Sequence, residues 1–287
     1  MTPLLTAPRV ERARGPYPAG GGTTVTQVEP VYRSVIGVAQ GLFRVQGLEF
    51  TVTGSENIPL RGGAVVAMNH VGYFDFTYAG LAALPRKRLV RFMAKAEVFS
   101  HPVAGPLMRG MHHIPVDRSA GAASFRAAVE ALRAGEIVGV FPEATISRSF
   151  ELKEFKSGAA RMALEAGVPV LPMILWGSQR VWTKDHPKRL GRTRTPIHVS
   201  VGAPVAPEGT PDELMTVVRG RMQSQLDDVH AAYPDAPAGA YWLPARLGGG
   251  APTPEEALVL EREETKARVA RRREKVDELK RKGRLPS

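Results

Sequence analysis

A chain of 287 residues with 43% hydrophobic and 23% charged residues is long enough for one large domain or two small ones and can bury a core. It contains no cysteine, which excludes disulfides, thiolate nucleophiles and cysteine-ligated metals. The formal net charge of +11 predicts an anionic partner, and nucleic acid, anionic lipid or a phosphorylated substrate would each satisfy it.

The N-terminal segment, residues 1–29, contains several Pro, Gly and Thr residues with little periodicity, which predicts a flexible arm. It lacks the basic region and apolar core of a signal peptide. Nowhere does the chain contain the ~18–20 consecutive apolar residues of a membrane span. We therefore expect a peripheral protein, which would meet a membrane only by lying on its cytoplasmic face.

Apolar residues recur at spacings of three and four between residues 31 and 43, with Arg33 and Arg44 near the ends. This pattern predicts a short amphipathic helix at the start of the main domain. Two interpretations stay open. The helix docks on the core of the protein, which is the favoured alternative, or it inserts into a lipid surface.

The following segment alternates short apolar runs with helical periods. The apolar runs predict strands at Leu48–Val52, Ala64–Met68, Leu89–Ala94, Ile137–Phe141, Val170–Trp176 and Ile197–Val201. The clearest helix between them is Ala122–Ala134, which Gly135 ends. Alternating strands and helices predict an α/β domain over residues 30–233, with a mixed, largely parallel sheet flanked by helices.

Three elements complete the chain. A helix opens with a capping box at Thr210, and a Pro/Gly-rich linker spans residues 234–252. Residues 241–243 of that linker are too apolar for a free tether, so we expect their rings to dock. A charged helix follows over residues 253–287. Its interleaved acids and bases favour a solvated helix over a basic patch that binds anionic lipid.

The residues that could carry chemistry begin with Asn69-His70-Val-Gly-Tyr-Phe-Asp75, directly after the strand Ala64–Met68. His70 and Asp75 would point about 140° apart on one regular helix of ~3.6 residues per turn. They meet only if His70 precedes the helix and Asp75 lies one turn into it. Asp75 would then fix the tautomer of His70 and leave its other nitrogen as a general base for an attacking alcohol. A His-x4-Asp spacing alone is weak evidence, because structural histidines are common.

Three further blocks follow in order: His112-His113-Ile-Pro-Val-Asp117-Arg118, then Phe141-Pro-Glu143-Ala-Thr145-Ile-Ser147-Arg148, then Val168-Pro-Val-Leu-Pro172. With the first block, they resemble the glycerolipid acyltransferase family that includes the 1-acylglycerol-3-phosphate acyltransferases. The family pattern is N-H-x-S-x-x-D, then a block ending in D-R, then F-P-E-G-T-R-S, then V-P-[IV]-[IVL]-P. The similarity runs from about Leu48 to Val205.

The resemblance implies a role for each matching residue. His70 would be the general base and Asp75 its orienting partner. Arg118 would bind phosphate, and Glu143 with Thr145 would form part of the glycerol and phosphate pocket. Lys95 and Lys156 lie where family members also carry lysines, and such a cluster around a phosphate would explain the net positive charge of the chain.

The family also implies the substrates: acyl-CoA or acyl carrier protein as donor, a lysophospholipid as acceptor, and an anionic membrane surface as partner. No metal or redox cofactor is expected. The sequence departs from the pattern at Gly72, where the family has serine, at Ala144, where it has glycine, and at Ile146, where it has arginine. Arg148 is displaced by two residues. Either Arg148 reaches back to the acceptor, or this acceptor differs from lysophosphatidic acid.

Three alternative functions fit parts of the sequence. His112-His113-x3-Asp117 also fits another class of acyl-thioester enzymes, in which the second histidine is the base, but Arg118 stands where that class has glycine. A metal site is disfavoured because no His-x3-His or His-Glu-x2-His spacing exists. A nucleic-acid binder rests on charge alone, without a recognition helix or stacking platform, so no nucleic acid is expected.

Overall fold

The computed structural model describes residues 29–117, 121–234 and 236–281. The predicted arm lies outside the described residues except for Glu29, and so does Arg118. The described chain forms eight helices: α1 (Pro30–Gln46), α2 (Asp75–Ala83), α3 (Ala96–Phe99), α4 (Ala104–Gly110), α5 (Gly121–Arg133), α6 (Gly158–Ala166), α7 (Pro211–Ala232) and α8 (Pro254–Arg281). None of these helices is long and apolar enough to cross a bilayer.

Seven strands form one sheet: β1 (Glu49–Thr53), β2 (Ala64–Met68), β3 (Val90–Lys95), β4 (Ile114–Val116), β5 (Ile137–Val140), β6 (Val170–Trp176) and β7 (Pro196–Val201). Their spatial order is β1-β7-β6-β2-β5-β3-β4. Only β6 and β7 pair antiparallel, and every other neighbouring pair is parallel. The predicted mixed, largely parallel α/β fold is confirmed.

The sheet is buried on both faces because successive side chains of a strand point to opposite sides. In β2, Val65 and Ala67 join the core beneath α5, α6 and α7. Ala64, Val66 and Met68 join the opposite core, which α1 and α2 cover. A continuous apolar run was therefore the correct indication of a strand here.

Helix α1 docks on the protein through two aromatic side chains. The Tyr32 hydroxyl donates to the Val90 carbonyl oxygen at 2.8 Å, and the Phe43 ring lies 5.1 Å from the Tyr78 ring. The outer face of the helix still exposes Val38 and Val45, at 75% and 73%. Docking on the core, the favoured alternative, thus describes one face of α1, and lipid contact of the other face stays a prediction.

The C-terminal elements pack as the capping boxes and the apolar stripe predict. Thr210 accepts a hydrogen bond from the Glu213 backbone N–H and its own backbone N–H donates to that glutamate. Thr253 and Glu256 exchange the same two bonds at the start of α8. In the linker, Trp242 is buried, with the Arg180 guanidinium 4.4 Å from its ring centroid, so the expected docking of these rings is observed.

Candidate active site

The carboxyl end of β2 is fixed to the neighbouring strand by the side chain of Asn69. Its Nδ2 donates to the Leu175 carbonyl oxygen at 3.0 Å, and its Oδ1 accepts from the Leu175 N–H at 2.7 Å. Asn69 is buried, so these two bonds satisfy an amide that would otherwise be costly to bury. They hold the residue before His70 at the edge where parallel strands end, which is where α/β sheets bind ligands.

His70 and Asp75 meet as the spacing predicts, but with a different local geometry. Residues 71–74 form the turn, and Asp75 is the first residue of α2 rather than one turn into it. The Nδ1 atom of His70 lies 2.9 Å from Oδ2 of Asp75. An ionised Asp75 favours the tautomer with the proton on Nδ1, which leaves Nε2 able to accept a proton.

The Asp75 carboxylate is fully buried, and four hydrogen-bond partners surround it, the first of which is the His70 ring. Oδ2 also accepts from the backbone N–H groups of Val71 and Gly72, at 2.7 and 2.8 Å. Oδ1 accepts from the hydroxyl of Ser178. A buried charge needs this degree of hydrogen bonding. The carboxylate is therefore held in one orientation toward His70.

The His70 ring is held on its face as well as its edge. It stacks on the Phe141 ring, with centroids 4.1 Å apart and planes 22° from parallel. The side chain stays 20% exposed, whereas that of Asp75 is completely buried. The pair therefore presents one accessible imidazole supported by a hidden carboxylate, the arrangement of a general base and its orienting group.

Glu143 joins the His70 turn to the loop that follows β5. Its Oε1 accepts from the His70 backbone N–H at 3.0 Å, and its Oε2 accepts from the Lys153 backbone N–H at 3.3 Å. Burial raises the pKa of the Glu143 carboxyl to about 8. At neutral pH the group is mainly protonated, so it can also donate a hydrogen bond to a ligand oxygen.

A cavity of about 890 Å³ opens beside Glu143, between this loop, α7 and α8. Among the predicted binding residues, Glu143, Thr145 and Lys156 line it. So does Lys153, whose Nζ donates to the Thr145 hydroxyl at 2.8 Å and pairs with Glu261 of α8 at 2.6 Å. The lining thus combines apolar side chains with four basic residues, Lys153, Lys156, Arg219 and Arg268, and with the acidic residues Glu154, Asp212 and Glu261 beside Glu143. The basic residues are the groups that could bind a phosphate.

Arg148 is not free in this structure. Its Nε lies 2.5 Å from Oδ2 of Asp185, and its Nη1 lies 2.9 Å from Oε2 of Glu264 on α8. Ile146, at the position of the family arginine, is buried. The Arg148 guanidinium is therefore already paired with two carboxylates, and Ile146 carries no charge that could replace it.

Of the two further predicted residues, Lys95 and Arg118, only Lys95 lies in the described part of the chain. Lys95 is exposed at the end of β3 and pairs in register with Val116, the last residue of β4. Because β2, β5, β3 and β4 run parallel, Lys95 lies at the same sheet edge as His70. Arg118 follows β4 by two residues, outside the described part of the chain.

The competing histidine pair has no catalytic geometry. His113 is buried, its Nδ1 accepts from the Phe92 backbone N–H at 3.1 Å, and its ring packs against Tyr32. Burial lowers its pKa to about 4. His112 is exposed, with a positive φ of 55°. One histidine is a wall residue and the other a surface residue.

Three contributors to the site had not been singled out from the sequence: Phe141, Lys153 and Ser178. Phe141 stood in a quoted block, but nothing in the spacing indicated that its ring would stack on His70. Ser178 lies 103 residues from the carboxylate it contacts, so only the pairing of β2 with β6 brings them together. Over residues 29–117, 121–234 and 236–281, no three His, Cys, Asp or Glu side chains are grouped to hold a metal ion.

The chain is similar in sequence to known acyltransferases. Residues 49–176, a little under half of the chain, match the family model described as Acyltransferase. The chain is 35% identical over 127 residues to the 1-acyl-sn-glycerol-3-phosphate acyltransferase of Bacillus subtilis, covering 44% of this chain and 62% of that protein. It is 26% identical over 193 residues to the enzyme of the same name from Borreliella burgdorferi, covering 64% and 74%.

The fold has a solved counterpart. The crystal structure of the 1-acyl-sn-glycerophosphate (LPA) acyltransferase PlsC from Thermotoga maritima superposes with a TM-score of 0.56 at 23% identity, covering 71% of this chain and 85% of that one. The match to the Bacillus subtilis protein spans less than two thirds of its length. The predicted resemblance to the glycerolipid acyltransferases is confirmed.

Proposed function

We propose that this chain is an O-acyltransferase that moves a fatty acyl group from an acyl thioester to the hydroxyl of a lysophospholipid. The contact between His70 Nδ1 and Asp75 Oδ2 carries the proposal, because it leaves a partly exposed imidazole nitrogen as a base. The relatives named for 1-acyl-sn-glycerol-3-phosphate support that compound as the default acceptor. Acyl-CoA or acyl carrier protein would supply the acyl group.

In this mechanism the acceptor hydroxyl is itself the nucleophile. Nε2 of His70 takes its proton as the oxygen attacks the thioester carbonyl, and the Asp75 carboxylate stabilises the resulting imidazolium. The tetrahedral intermediate collapses with cleavage of the carbon–sulfur bond, and the thiolate leaves with the proton from His70. General-base assistance of this kind contributes roughly 10²- to 10⁴-fold in rate, and positioning of the two substrates supplies a further part.

The acceptor phosphate would bind in the cavity beside Glu143. Lys156 is exposed there, and Thr145 and the protonated Glu143 offer hydroxyl donors. Lys95 would approach from the β3–β4 side of the same edge, and Arg118 stays a predicted ligand of the same phosphate. Because Ile146 is buried and Arg148 is paired with two carboxylates, another lipid or glycolipid acceptor is the second candidate.

The test is a mass-spectrometric assay of the purified protein with a panel of acyl thioesters and lysolipid or glycolipid acceptors. His70→Ala should lose at least 100-fold in kcat, the lower end of the general-base contribution. His113→Gln serves as the matched histidine control and should keep most activity in the folded protein. Full transferase activity in His70→Ala would rule out this mechanism, and loss in His113→Gln alone would favour the other histidine.

The acceptor-binding role is tested separately with Arg118→Ala. Removing a phosphate-binding guanidinium should chiefly raise the acceptor KM and leave the donor KM unchanged, because the donor does not bind through that group. An unchanged acceptor KM would remove Arg118 from the phosphate site.

A peripheral location on an anionic membrane surface is part of the proposal. The exposed apolar face of α1, with Val38, Leu42 and Val45, supports contact with lipid, and the net charge of +11 supports an anionic one. The protein should pellet with anionic vesicles and leave duplex DNA unbound at physiological salt. Binding to the duplex but not to vesicles would contradict the lipid assignment.

A further inference from the structure

The Asp75 carboxylate is held by a hydroxyl that comes from outside the first sequence block. Ser178 lies just beyond β6, at the start of a short 3₁₀ helix, Ser178–Arg180. Its side chain is fully buried, and its Oγ donates to Oδ1 of Asp75. No other hydrogen bond to Oδ1 is present among the described residues, whereas Oδ2 accepts from two backbone N–H groups and faces His70.

The space for this hydroxyl exists because residue 72 is glycine. A Cβ added at Gly72 would lie 2.1 Å from the Ser178 Oγ and 2.9 Å from the Ser178 carbonyl carbon, closer than real Cβ atoms approach. Any side chain at position 72 would therefore displace the Ser178 hydroxyl from Asp75. The family pattern has serine at position 72, so glycine here and the inward-pointing Ser178 form a matched pair.

We propose that Ser178 is a positioning residue that sets the orientation of Asp75 and, through it, the basicity of His70, and that Gly72 is required to make room for it. The proposal rests on the proposed function, since it assigns Ser178 to the same His–Asp pair. It extends the site to β6, which none of the predicted site residues occupies.

Loss of the hydroxyl has two consequences. Without its donor, Oδ1 is left unsatisfied in a buried site; the two backbone N–H groups still hold Oδ2, but the carboxylate can turn about that oxygen and its alignment with His70 is less well fixed. An Asp75 carboxylate without that donor also carries more charge density toward His70 and stabilises the protonated ring more strongly. Since the base must be unprotonated, the acidic limb of the pH–rate profile moves to higher pH.

The first arm of the test compares Ser178→Ala with Thr183→Val. Thr183 is the matched control, because its buried hydroxyl donates to the Val71 carbonyl oxygen at 2.7 Å and so supports the same turn without contacting Asp75. Ser178→Ala should lower kcat roughly ten-fold, as expected for one lost hydrogen bond to a charged group, with the KM values for donor and acceptor unchanged. Thr183→Val should lower thermal stability but keep the acidic limb of the pH–rate profile in place.

The second arm tests the space that Gly72 leaves. Gly72→Ser should lose activity, because the new Cβ collides with both the side chain and the backbone carbonyl carbon of Ser178. A Gly72→Ser protein with the wild-type kcat would overturn the proposal. So would a Ser178→Ala protein with the wild-type kcat and pH profile.

A readout without substrate separates this proposal from the proposed function. The titration midpoint of the His70 ring, followed by NMR on histidine-labelled protein, should rise in Ser178→Ala and stay in place in Thr183→Val. The other titratable groups that face the pair, Glu143 and Tyr78, are the same in all variants. If the wild type acylates no acceptor, the proposed function fails, and this midpoint still decides the role of Ser178. An unmoved midpoint would refute it.

Discussion

Asp75→Asn isolates the charge of the orienting residue, because the hydrogen bonds around it dictate how the amide must sit. Two backbone N–H groups, of Val71 and Gly72, point at Oδ2. The amide oxygen must take that place, since an NH₂ group there would face donors only. The NH₂ group then faces the Ser178 hydroxyl, which can accept. The oxygen still receives the His70 Nδ1–H, so the tautomer of the imidazole is preserved.

What the substitution removes is the attraction between the carboxylate and the imidazolium that forms in the transition state. Nδ1 and Oδ2 are 2.9 Å apart, which places the centres of the two delocalised charges somewhat further from each other. Two unit charges ~4 Å apart at an effective dielectric constant of ~20 attract each other by about 4 kcal/mol. At 1.36 kcal/mol per ten-fold change in rate, the loss is about 10³-fold in kcat/KM.

The assay measures kcat/KM by mass spectrometry on folded protein, with Asp227→Asn as the carboxylate-to-amide control. Asp227 lies on α7 and pairs with Arg246, outside the predicted site. The control should remain within a few-fold of the wild type. A loss of less than ten-fold in Asp75→Asn would show that the charge of Asp75 does not support catalysis. The proposed electrostatic role of this carboxylate would then be wrong.

Three further predictions concern the loop after β5 and its contact with α8. Because the pKa of the folded Glu143 carboxyl is about 8 against 4.5 for the ordinary group, the free energy of unfolding should fall as pH rises between these values; Glu143→Gln should flatten that fall in urea titrations at pH 5 to 9. Ala144 has a φ of 62°, so Ala144→Gly should relieve strain of about 1 kcal/mol and should not destabilise the protein. As the control, Ala127→Gly in the middle of α5 should lower the free energy of unfolding by roughly 0.5–1 kcal/mol, the usual penalty for glycine within a helix. Glu264→Gln removes one of the two acidic partners of Arg148 and should lower the acceptor KM if that arginine binds phosphate; an unchanged KM would exclude it from the acceptor site.

Much of the fold follows from the sequence because burial on both faces leaves a plain pattern. β2 and β6 match their predicted bounds, since every residue in them is buried and apolar. β4 was missed because it is three residues long, contains Pro115 and buries only Ile114. A strand of that size leaves no periodicity to detect, and it is defined by its parallel pairing with β3.

The site residues that the sequence predicts are also those that depend on local structure. His70 and Asp75 were predicted because they are close in sequence and lie next to a strong strand. Ser178 was not, because its contact depends on how β2 and β6 align, which the local pattern does not encode. The expectation that Asp75 lies one turn into a helix was wrong for a local reason: the turn at residues 71–74 folds Asp75 back toward His70 before α2 begins.

Many basic side chains of the chain make structural contacts, so the net charge of +11 is weak evidence about the substrate. Several arginines donate to backbone carbonyl oxygens at the ends of helices and loops: Arg86, Arg88, Arg109, Arg133 and Arg219. Such bonds satisfy carbonyl groups that lack a partner where a helix or loop ends. Two more basic side chains near the site, Lys153 and Arg148, form salt bridges with acidic residues of α8. The excess charge predicted an anionic partner, but Lys95 and Lys156 are the predicted binding lysines that stay exposed at the sheet edge. Under the proposed function we therefore expect acceptor preference to depend on these two lysines, Arg118 and Glu143. Substitutions of Arg86, Arg88, Arg109 and Arg133 should change stability before they change the acceptor KM.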